Sequence, residues 1–305
     1  MTSPIKQKLE DLRQDNSSGA RELIEKAIEI IEIYLEGFSK NNIDISIGLI
    51  KIASQIINSR PSMAPLINTI GFLMRGKDRI TKGIILKRLK ELSNYRTKQM
   101  TSLQTHFGSL LNRIYKPELK IMLISHSSTI NTLFSKHTDK NIIFYVLESR
   151  PLLEGQKTAE YYSNNFQTNL IVDSAMGKFI EEIDMVLVGI DSILRDGSII
   201  NKIGTYPLSV LAFENNKKVF AIGDSFKYNL RSHFSQEIKI QKKPSNEIYK
   251  KSGQKNKLTI KNYYFDITPS KYITRIISDL GIHSPPKFLE LVKKHLNFDW
   301  FNSYI

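Results

Sequence analysis

The feature that most constrains this chain is a set of five short apolar segments that begins after Lys116-Pro117. The segments are continuously apolar rather than alternating, which is typical of strands buried on both faces of a parallel sheet. Helical patterns lie between them, so the chain repeats a β-α unit with right-handed crossovers. The segments run from Leu119 to Ser125, Ile142 to Ser149, Asn169 to Asp173, Met185 to Asp191 and Lys218 to Asp224. We therefore predict an α/β fold class, with a Rossmann-like, doubly wound, mainly parallel sheet domain over residues 117–305.

The first part of the chain has a different periodicity, with apolar residues that recur at spacings of three and four. The predicted helices run from Ser17 to Leu35, Ile45 to Ser59, Ala64 to Met74 and Arg75 to Lys98, and the fourth is expected to continue from Thr97 to Tyr115. The fourth of these helices is strongly basic. We expect an all-helical N-terminal domain over residues 1–116.

The last part of the chain is harder to interpret. Residues 236–261 contain eight lysines and two acids without clean periodicity, which favours an extended, partly mobile excursion. A last strand and turn are predicted from Tyr263 to Pro269, and a helix from Ser270 to Leu280.

Cysteine is absent from the chain. This absence excludes disulfides, thiolate zinc sites and a cysteine nucleophile, and no metal or cofactor is predicted. The chain begins without the apolar run of a signal peptide, and no stretch reaches the roughly 18 to 20 apolar residues that cross a bilayer. We expect a cytoplasmic protein with no membrane contact. The net charge of +14 favours polyanion partners, or it reflects a general lysine bias.

Polar residues follow each predicted strand directly. In an open parallel sheet, ligands bind beyond the carboxyl ends of the strands, so these residues are the first candidates for a site. They are Ser125 to Thr129, Glu148 to Pro151, Asp173-Ser174, Gly189 to Ser192 and Gly223 to Lys227. Hydroxyls, carboxylates and cations at one edge predict a polar site that accepts anions.

Two of these groups have alternative interpretations. Ser127 and Ser128 stand at the start of a predicted helix. There they are suited to bind a phosphate, or they serve as ordinary helix caps. Asn201 and Lys202 also precede a helix, and they suit a phosphate or a sugar hydroxyl.

The sequence resembles a known family over residues 10–290. The strings that carry the resemblance are SSGAREL, RPSMAPL, ISHSSTINTLF, ESRPLLEGQKTA, VDSAMGKFIEEID, VGIDSILRDGSIINKIGT, GDSFKYN and FDITP. They are similar to the alpha, beta and delta subunits of translation initiation factor 2B. The same strings resemble ribose-1,5-bisphosphate isomerase and methylthioribose-1-phosphate isomerase.

The resemblance to the isomerases implies an acid/base pair made of a cysteine and an aspartate. Asp191 matches the aspartate, whereas Ser127 stands at the position of the cysteine. A thiol titrates near 8.5, but a hydroxyl is a far weaker acid, so Ser127 is expected to bind rather than react. His126 is a candidate substitute, although a histidine at a strand end is more often structural. The Arg-Gly-Ala loop of the enzymes is Ser18-Gly19-Ala20 here.

The resemblance also implies which residues bind a ligand. Arg150, Lys202 and Lys227 stand at family positions and are expected to line a phosphate site. Together with Ser127, Ser128, Asp191 and Asn201, they are the predicted ligand-binding residues.

Three functions are compatible with these observations. The leading hypothesis is a noncatalytic regulatory protein of translation initiation that binds the initiation factor 2 alpha subunit, forms a homodimer or higher oligomer, and holds a sugar phosphate or nucleotide. The second is a sugar-phosphate isomerase that uses Asp191. The third, less favoured, is nucleic-acid binding through the basic segments 75–98 and 236–261, which lack the interleaved aromatics of a stacking platform.

Overall fold

The computed structural model describes residues 3–15, 19–60, 63–76, 79–114, 116–249, 258–296 and 298. Five helices come first in the chain, and the periodicity of the sequence predicted four of them. They are α1 (Ser3–Gln14), α2 (Ala20–Glu36), α3 (Ser46–Ser59), α4 (Ala64–Met74) and α5 (Lys82–Arg113). Helix α1 was not predicted. Ser17 and Ser18, where the first predicted helix was to begin, lie outside the described residues.

Helix α5 covers the basic helix predicted from Arg75 together with its predicted continuation to Tyr115. It is a single helix of 32 residues that begins only at Lys82. The hydroxyl of Thr81 accepts a hydrogen bond from Ile84 N and caps the helix there, so the prediction of helix from Arg75 was wrong. The cap starts the helix about two turns later than the apolar spacing alone suggested.

The main sheet has seven strands in the order β10-β9-β7-β4-β1-β2-β3, all parallel except β10. Its strands are β1 (Leu119–Leu123), β2 (Ile142–Leu147), β3 (Gln167–Ile171), β4 (Met185–Gly189), β7 (Lys218–Ile222), β9 (Arg275–Ser278) and β10 (Gly281–His283). The helices around it are α6 (Ser128–Phe134), α7 (Glu154–Ser163), α8 (Met176–Phe179), α9 (Thr205–Glu214), α10 (Leu230–His233) and α11 (Pro285–His295). The predicted Rossmann-like architecture is confirmed.

The strand order reverses between β1 and β4. From β1 the chain builds outward through β2 and β3, then returns to place β4 on the other side of β1. Loops that leave such neighbouring strands diverge to opposite faces and open a crevice, which is where doubly wound proteins bind ligands.

A second, three-stranded antiparallel sheet has the order β5-β6-β8. It consists of β5 (Ser192–Ile193), β6 (Ile199–Lys202) and β8 (Phe265–Thr268). The predicted strand near Tyr263 to Pro269 is therefore present, but it belongs to this smaller sheet.

The predicted helix from Ser270 to Leu280 is wrong. Only a short 3-10 turn occurs at Ser270–Tyr272, and the chain then forms β9 and β10. Ile276 and Ile277 are fully buried because β9 pairs with the edge of β7. The apolar spacing of this segment fits a helix, but hydrogen bonding to an open sheet edge overrides local periodicity.

The N-terminal helices pack against both faces of the main sheet. Leu103, Phe107 and Leu111 in the second half of α5 pack with Ile121 and neighbouring residues on one face of the sheet. The apolar faces of α1 to α4 belong to the same cluster as residues of its other face. The domain boundary near residue 116 stays a prediction. In the described part of the chain, no helix is long and apolar enough to span a membrane.

Candidate functional site at the switch point of the sheet

A cavity of about 1210 Å³ lies where the strands of the main sheet end. Its floor is formed by the loops after β1, β4 and β7 and by the end of β6. Helices α2 and α5 form the opposite wall and contribute Arg21 and Arg96. The cavity therefore joins the helical part of the chain to the switch point of the sheet. Six acidic and five basic side chains line it: Glu22, Glu25, Glu32, Glu154, Asp191, Asp224, Arg21, Arg96, Lys157, Lys202 and Lys227.

Asp191 lies at the centre of the floor, directly after β4. Its backbone N–H donates to Ile200 O at 2.9 Å, which ties the loop to β6. Among the described residues, its carboxylate has no hydrogen-bond or ion-pair partner. Burial raises the pKa of this carboxyl, and the nearby ammoniums of Lys227 and Lys202 oppose that effect only in part. A carboxyl of this kind exchanges protons closer to neutral pH than an exposed one does.

Lys202 and Glu154 form an ion pair beside Asp191. Lys202 Nζ is 2.6 Å from Glu154 Oε1, and the lysine is only 3% exposed. Ser125 Oγ donates to the same carboxylate oxygen at 3.0 Å. Within the described ranges, neither Lys202 Nζ nor Glu154 Oε2 has a hydrogen-bond partner with acceptable geometry, although both atoms are buried.

Lys227 closes the floor on the other side of Asp191. It ends the 3-10 turn Ser225–Lys227, which Asp224 caps by accepting from Phe226 N at 3.0 Å. Burial raises the pKa of Asp224, and the charge of Lys227 opposes this shift more than any other group does. The floor thus alternates carboxylates and ammoniums: Glu154, Lys202, Asp191, Lys227 and Asp224.

The turn that carries Lys227 is held from the helical side. Asn68 on α4 is buried, and its amide donates to Phe226 O at 2.6 Å and to Tyr228 O at 2.7 Å. This clamp fixes the position of the Lys227 ammonium relative to Asp191. A hydrogen-bonded turn that is buried on both sides is a rigid support for a binding site.

Ser127 and Asn201 approach each other across Gly189. A Cβ at Gly189 would lie 3.5 Å from both Ser127 Oγ and Asn201 Oδ1. Ser127 caps α6 by accepting from Ile130 N at 3.3 Å, as the capping interpretation predicts. Asn201 donates to Thr205 Oγ1 at 3.0 Å. Both side chains line the cavity, with the orientation of each set by a local hydrogen bond.

Two further predicted residues differ in their placement. Ser128 is exposed and lines the cavity. Arg150 is not among the lining residues: its N–H donates to Asp173 Oδ2 at 2.7 Å, and its guanidinium donates to Glu247 O at 3.3 Å. Six of the seven predicted ligand-binding residues are therefore brought together, and Arg150 is directed elsewhere.

His126 lies on the cavity wall with one ring nitrogen available. Its Nδ1 is 3.0 Å from Thr158 Oγ1, and the Thr158 hydroxyl donates to Ser125 O at 3.0 Å. Because the proton of that hydroxyl is already used, we assign the Nδ1–H tautomer, which leaves a lone pair on Nε2. Burial and the charge of Lys157 lower the pKa of His126, which favours the neutral form of the imidazole.

Several lining residues were missed by sequence reasoning. Glu154 begins α7 shortly after β2, and its place beside a predicted strand end was a usable signal. Arg96 lies in the middle of α5, far from any strand end in the sequence, and no local pattern pointed to it. No group of three or more His, Asp or Glu side chains in the described portion could hold a metal ion.

The chain is a doubly wound α/β protein with a polar cavity at the switch point of its sheet, the place where proteins of this class bind ligands. The chain belongs to the initiation factor 2 subunit family, whose model matches residues 16–285. It is 27% identical to the ribose 1,5-bisphosphate isomerase of Methanocaldococcus jannaschii, over 97% of this chain and 96% of that protein. It is 33% identical to the methylthioribose-1-phosphate isomerase of Acetivibrio thermocellus, over 62% of this chain and 54% of that protein.

The fold also matches a solved structure of the family. The crystal structure titled translation initiation factor eIF-2B from Pyrococcus horikoshii OT3 superimposes with a TM-score of 0.77 at 23% identity, covering 95% of this chain and 100% of that one. At this level of identity the match establishes the fold alone.

Proposed function

We propose that this protein binds a pentose phosphate in the switch-point cavity and interconverts its aldose and ketose forms. The observation that carries the proposal is the Asp191 carboxyl, which lies on the floor between two buried ammoniums without a hydrogen bond to the described residues and has a raised pKa. Perturbed carboxyls in clefts are typical of proton-transfer sites. The similarity to two sugar-phosphate isomerases supports the same reaction class.

The chemistry requires groups that give and accept protons. Conversion of a pentose 1-phosphate breaks the bond between C1 and the ring oxygen, which gains a proton. The hydrogen on C2 moves with its bonding electrons to C1, which the ring opening has left electron-deficient, and the C2 hydroxyl loses its proton as it becomes a carbonyl. Asp191 in its protonated form is suited to supply the first proton, and Nε2 of His126 or the resulting Asp191 carboxylate is suited to accept the second.

Three cations that line the cavity can supply positive charge for the phosphate. They are Lys227, Arg96 and Arg21, and arginine and lysine are the usual partners of phosphate oxygens. Asp191 lies beside Lys227, so a phosphate held by these cations would bring the adjacent sugar carbons towards the carboxyl.

The direct test is turnover of ribose 1,5-bisphosphate and methylthioribose 1-phosphate by the purified protein. For Asp191→Asn we expect kcat to fall by roughly 10² to 10⁴, the usual contribution of a general acid or base. Asp139→Asn, which neutralises an exposed aspartate in the turn after α6, is the matched control and should leave kcat unchanged. Absence of turnover of both compounds by the wild-type protein would exclude isomerisation of these substrates.

A second candidate function is supported by Ser127. A hydroxyl that caps α6 at the position of the isomerase cysteine favours ligand binding without turnover. The protein would then be a regulatory component of translation initiation that binds the initiation factor 2 alpha subunit, with the sugar phosphate or a nucleotide as its signal. Affinity capture of that subunit, with and without ribose 1,5-bisphosphate, tests this function.

A single substitution separates the two candidates. If the missing thiol is what blocks turnover, Ser127→Cys should raise kcat by at least about tenfold, because a thiol ionises near pH 8.5 and a hydroxyl does not. Ser128→Cys, one residue further along the cavity wall, is the matched control and should have no such effect. Equal activity of wild type and Ser127→Cys would show that Ser127 does not limit the reaction.

A further inference from the structure

A carboxylate that does not line the cavity joins three elements of the fold. Asp279 follows β9 in the turn before β10. Its Oδ1 accepts from Ser225 N at 2.6 Å, and its Oδ2 accepts from Ser225 Oγ at 2.8 Å and from Gln99 Nε2 at 3.3 Å. Gln99 Nε2 also donates to Ser225 Oγ at 2.9 Å. One side chain therefore holds together the end of β9, the turn after β7 and the middle of α5.

The serine in this network begins the turn that carries Lys227. The 3-10 turn runs from Ser225 to Lys227, so contacts that fix Ser225 limit where the Lys227 ammonium can lie. Ser225 is fully buried, and Asp279 accepts from both its N–H and its hydroxyl. Asp279 thus holds the start of the turn, whereas Asn68 holds the carbonyls that follow.

The glutamine connects the same turn to the helical wall of the cavity. Gln99 and Arg96 both line the cavity, and because they are three residues apart on α5 they share one face of that helix. His106, about two turns further along α5, places its Nδ1 2.8 Å from Ser278 O. Two side chains of α5 therefore reach the end of β9, which fixes the wall that carries Arg96 against the floor.

The two cations that this network holds lie near one carboxylate. Burial raises the pKa of Asp224, and the charges of Lys227 and Arg96 both oppose that shift. Electrostatic shifts of this kind come from nearby charges, so both cations lie close to Asp224. Lys227 reaches it from the floor and Arg96 from α5, and an anion between them is within reach of both.

We propose that Asp279 is a positioning residue for the phosphate group: it fixes the turn of Lys227 against α5, so that Lys227 and Arg96 contact the same anion. Asp279 itself does not line the cavity. Cations that are already in place bind an anion more tightly, because less ordering is needed when it arrives. The inference rests on the proposed binding of a pentose phosphate, and it adds how the fold prepares the cations for that ligand.

The test measures the Kd of ribose 1,5-bisphosphate by isothermal titration calorimetry. Asp279→Ala should raise Kd about tenfold, because the turn and the helix lose their common acceptor. Asp279→Asn keeps a carbonyl oxygen for Ser225 N and should recover part of the affinity, with Kd raised about threefold. Thermal melting checks that each variant is folded at the temperature of the titration.

Asp196 provides a matched control. Its carboxylate also accepts from the N–H and the hydroxyl of a single serine, Ser198, at 3.0 and 2.9 Å. It lies between β5 and β6 and lines neither cavity. Asp196→Ala therefore removes two hydrogen bonds of the same kind, and it should lower the melting temperature while leaving Kd unchanged.

A double-mutant cycle separates positioning from a general loss of stability. Because Asp279 acts through the turn of Lys227, Asp279→Ala should raise Kd by less than about threefold when Lys227→Met is already present. If Asp279→Ala does not fold, Asp279→Asn takes its place in the cycle, and its effect of about threefold should disappear in the Lys227→Met background.

Several results would overturn the inference. An unchanged Kd in Asp279→Ala would do so while pentose-phosphate binding itself would stand. Losses that multiply in the double variant would show that Asp279 acts independently of Lys227, and an equal loss in Asp196→Ala would show a general effect of destabilisation. Failure of the wild-type protein to bind ribose 1,5-bisphosphate would overturn the proposed function together with the inference.

Discussion

The cavity floor and the basic segment around the start of α5 look alike in the sequence but differ in how their charges are used. Five cations represent the basic segment here, Arg75, Arg79, Lys82, Lys87 and Arg88, and most of them have partners within the chain. Arg79 donates to Asp44 at 2.9 Å and Arg88 to Leu73 O at 2.8 Å, while Arg75 pairs with Glu91 and Lys82 donates to Phe38 O. On the floor, Asp191 and Lys227 make no such contacts with the described residues, and Lys202 makes a single ion pair.

This difference shows what distinguishes a site from a charged surface. A run of lysines and arginines shows only that a segment is rich in charge. A ligand, in contrast, binds to donors and acceptors that make no hydrogen bonds within the folded chain. Buried groups without partners are costly for folding, and proteins retain them mainly at functional sites. The floor therefore is the stronger candidate for ligand binding, although the basic segment carries more net charge.

The largest expected effect in this comparison concerns affinity. Lys227→Met should weaken binding of ribose 1,5-bisphosphate by about 10- to 100-fold, because a charge-assisted contact to phosphate is lost. Lys90→Met removes an exposed charge from α5 and should leave Kd unchanged. Isothermal titration calorimetry measures both, and equal losses would mean that net charge rather than the floor governs binding.

The next effect concerns the clamp beneath the floor. Asn68→Ala leaves the carbonyls of Phe226 and Tyr228 without their buried donor, so we expect a loss of about 2 to 3 kcal/mol in the free energy of unfolding. Asn42→Ala, at an exposed position in the turn before α3, should cost less than about 0.5 kcal/mol. Urea denaturation measures both variants. A small loss for Asn68→Ala would indicate that the turn is held by other contacts.

The pH dependence of stability should have opposite signs in the two regions. Burial raises the pKa of Asp266, which accepts from Gly204 N and Tyr206 N beside the floor, to about 6. Its contribution to stability is therefore complete below the unfolded pKa near 3.8 and is lost as the pH rises through about 6. Asp44 in the basic region has a lowered pKa because Ser46 and Arg79 stabilise its charge. Its contribution is present above the unfolded pKa and is lost as the pH falls.

Substitution of Asp266 tests this sign. In Asp266→Asn, a decline on the order of 2 kcal/mol in the free energy of unfolding between pH 4 and pH 6 should disappear. Asp139→Asn should retain the decline. Urea denaturation at successive pH values measures the effect, and a wild-type protein whose stability rises over this interval would contradict the assignment.

The smallest expected effect concerns nucleic acid. The double variant Lys87→Gln and Lys90→Gln should change RNA affinity by less than about threefold at 150 mM salt, because isolated surface charges are largely screened there. Fluorescence anisotropy with labelled RNA measures it. A tenfold loss with a steep salt dependence would instead support a nucleic-acid interface on this face.

Much of the fold was accessible from the sequence because parallel strands buried on both faces must be continuously apolar. The runs around Met122 and Val186 therefore identified their strands, and the rule that ligands bind at strand ends identified Ser127 and Asp191. Local periodicity failed where a distant partner decided the structure. The segment around Ile276 has helical spacing but pairs with β7.

Only the tertiary structure decided which charged side chains are available to bind a ligand. The sequence by itself determined the strand-end positions and the residue types at them, since both follow from local patterns. It could not determine that Arg150 points to Glu247 O, that Arg96 reaches the cavity from α5, or that Glu154 faces Lys202. The partner of a charged side chain depends on which elements meet in space, and only the folded chain specifies that.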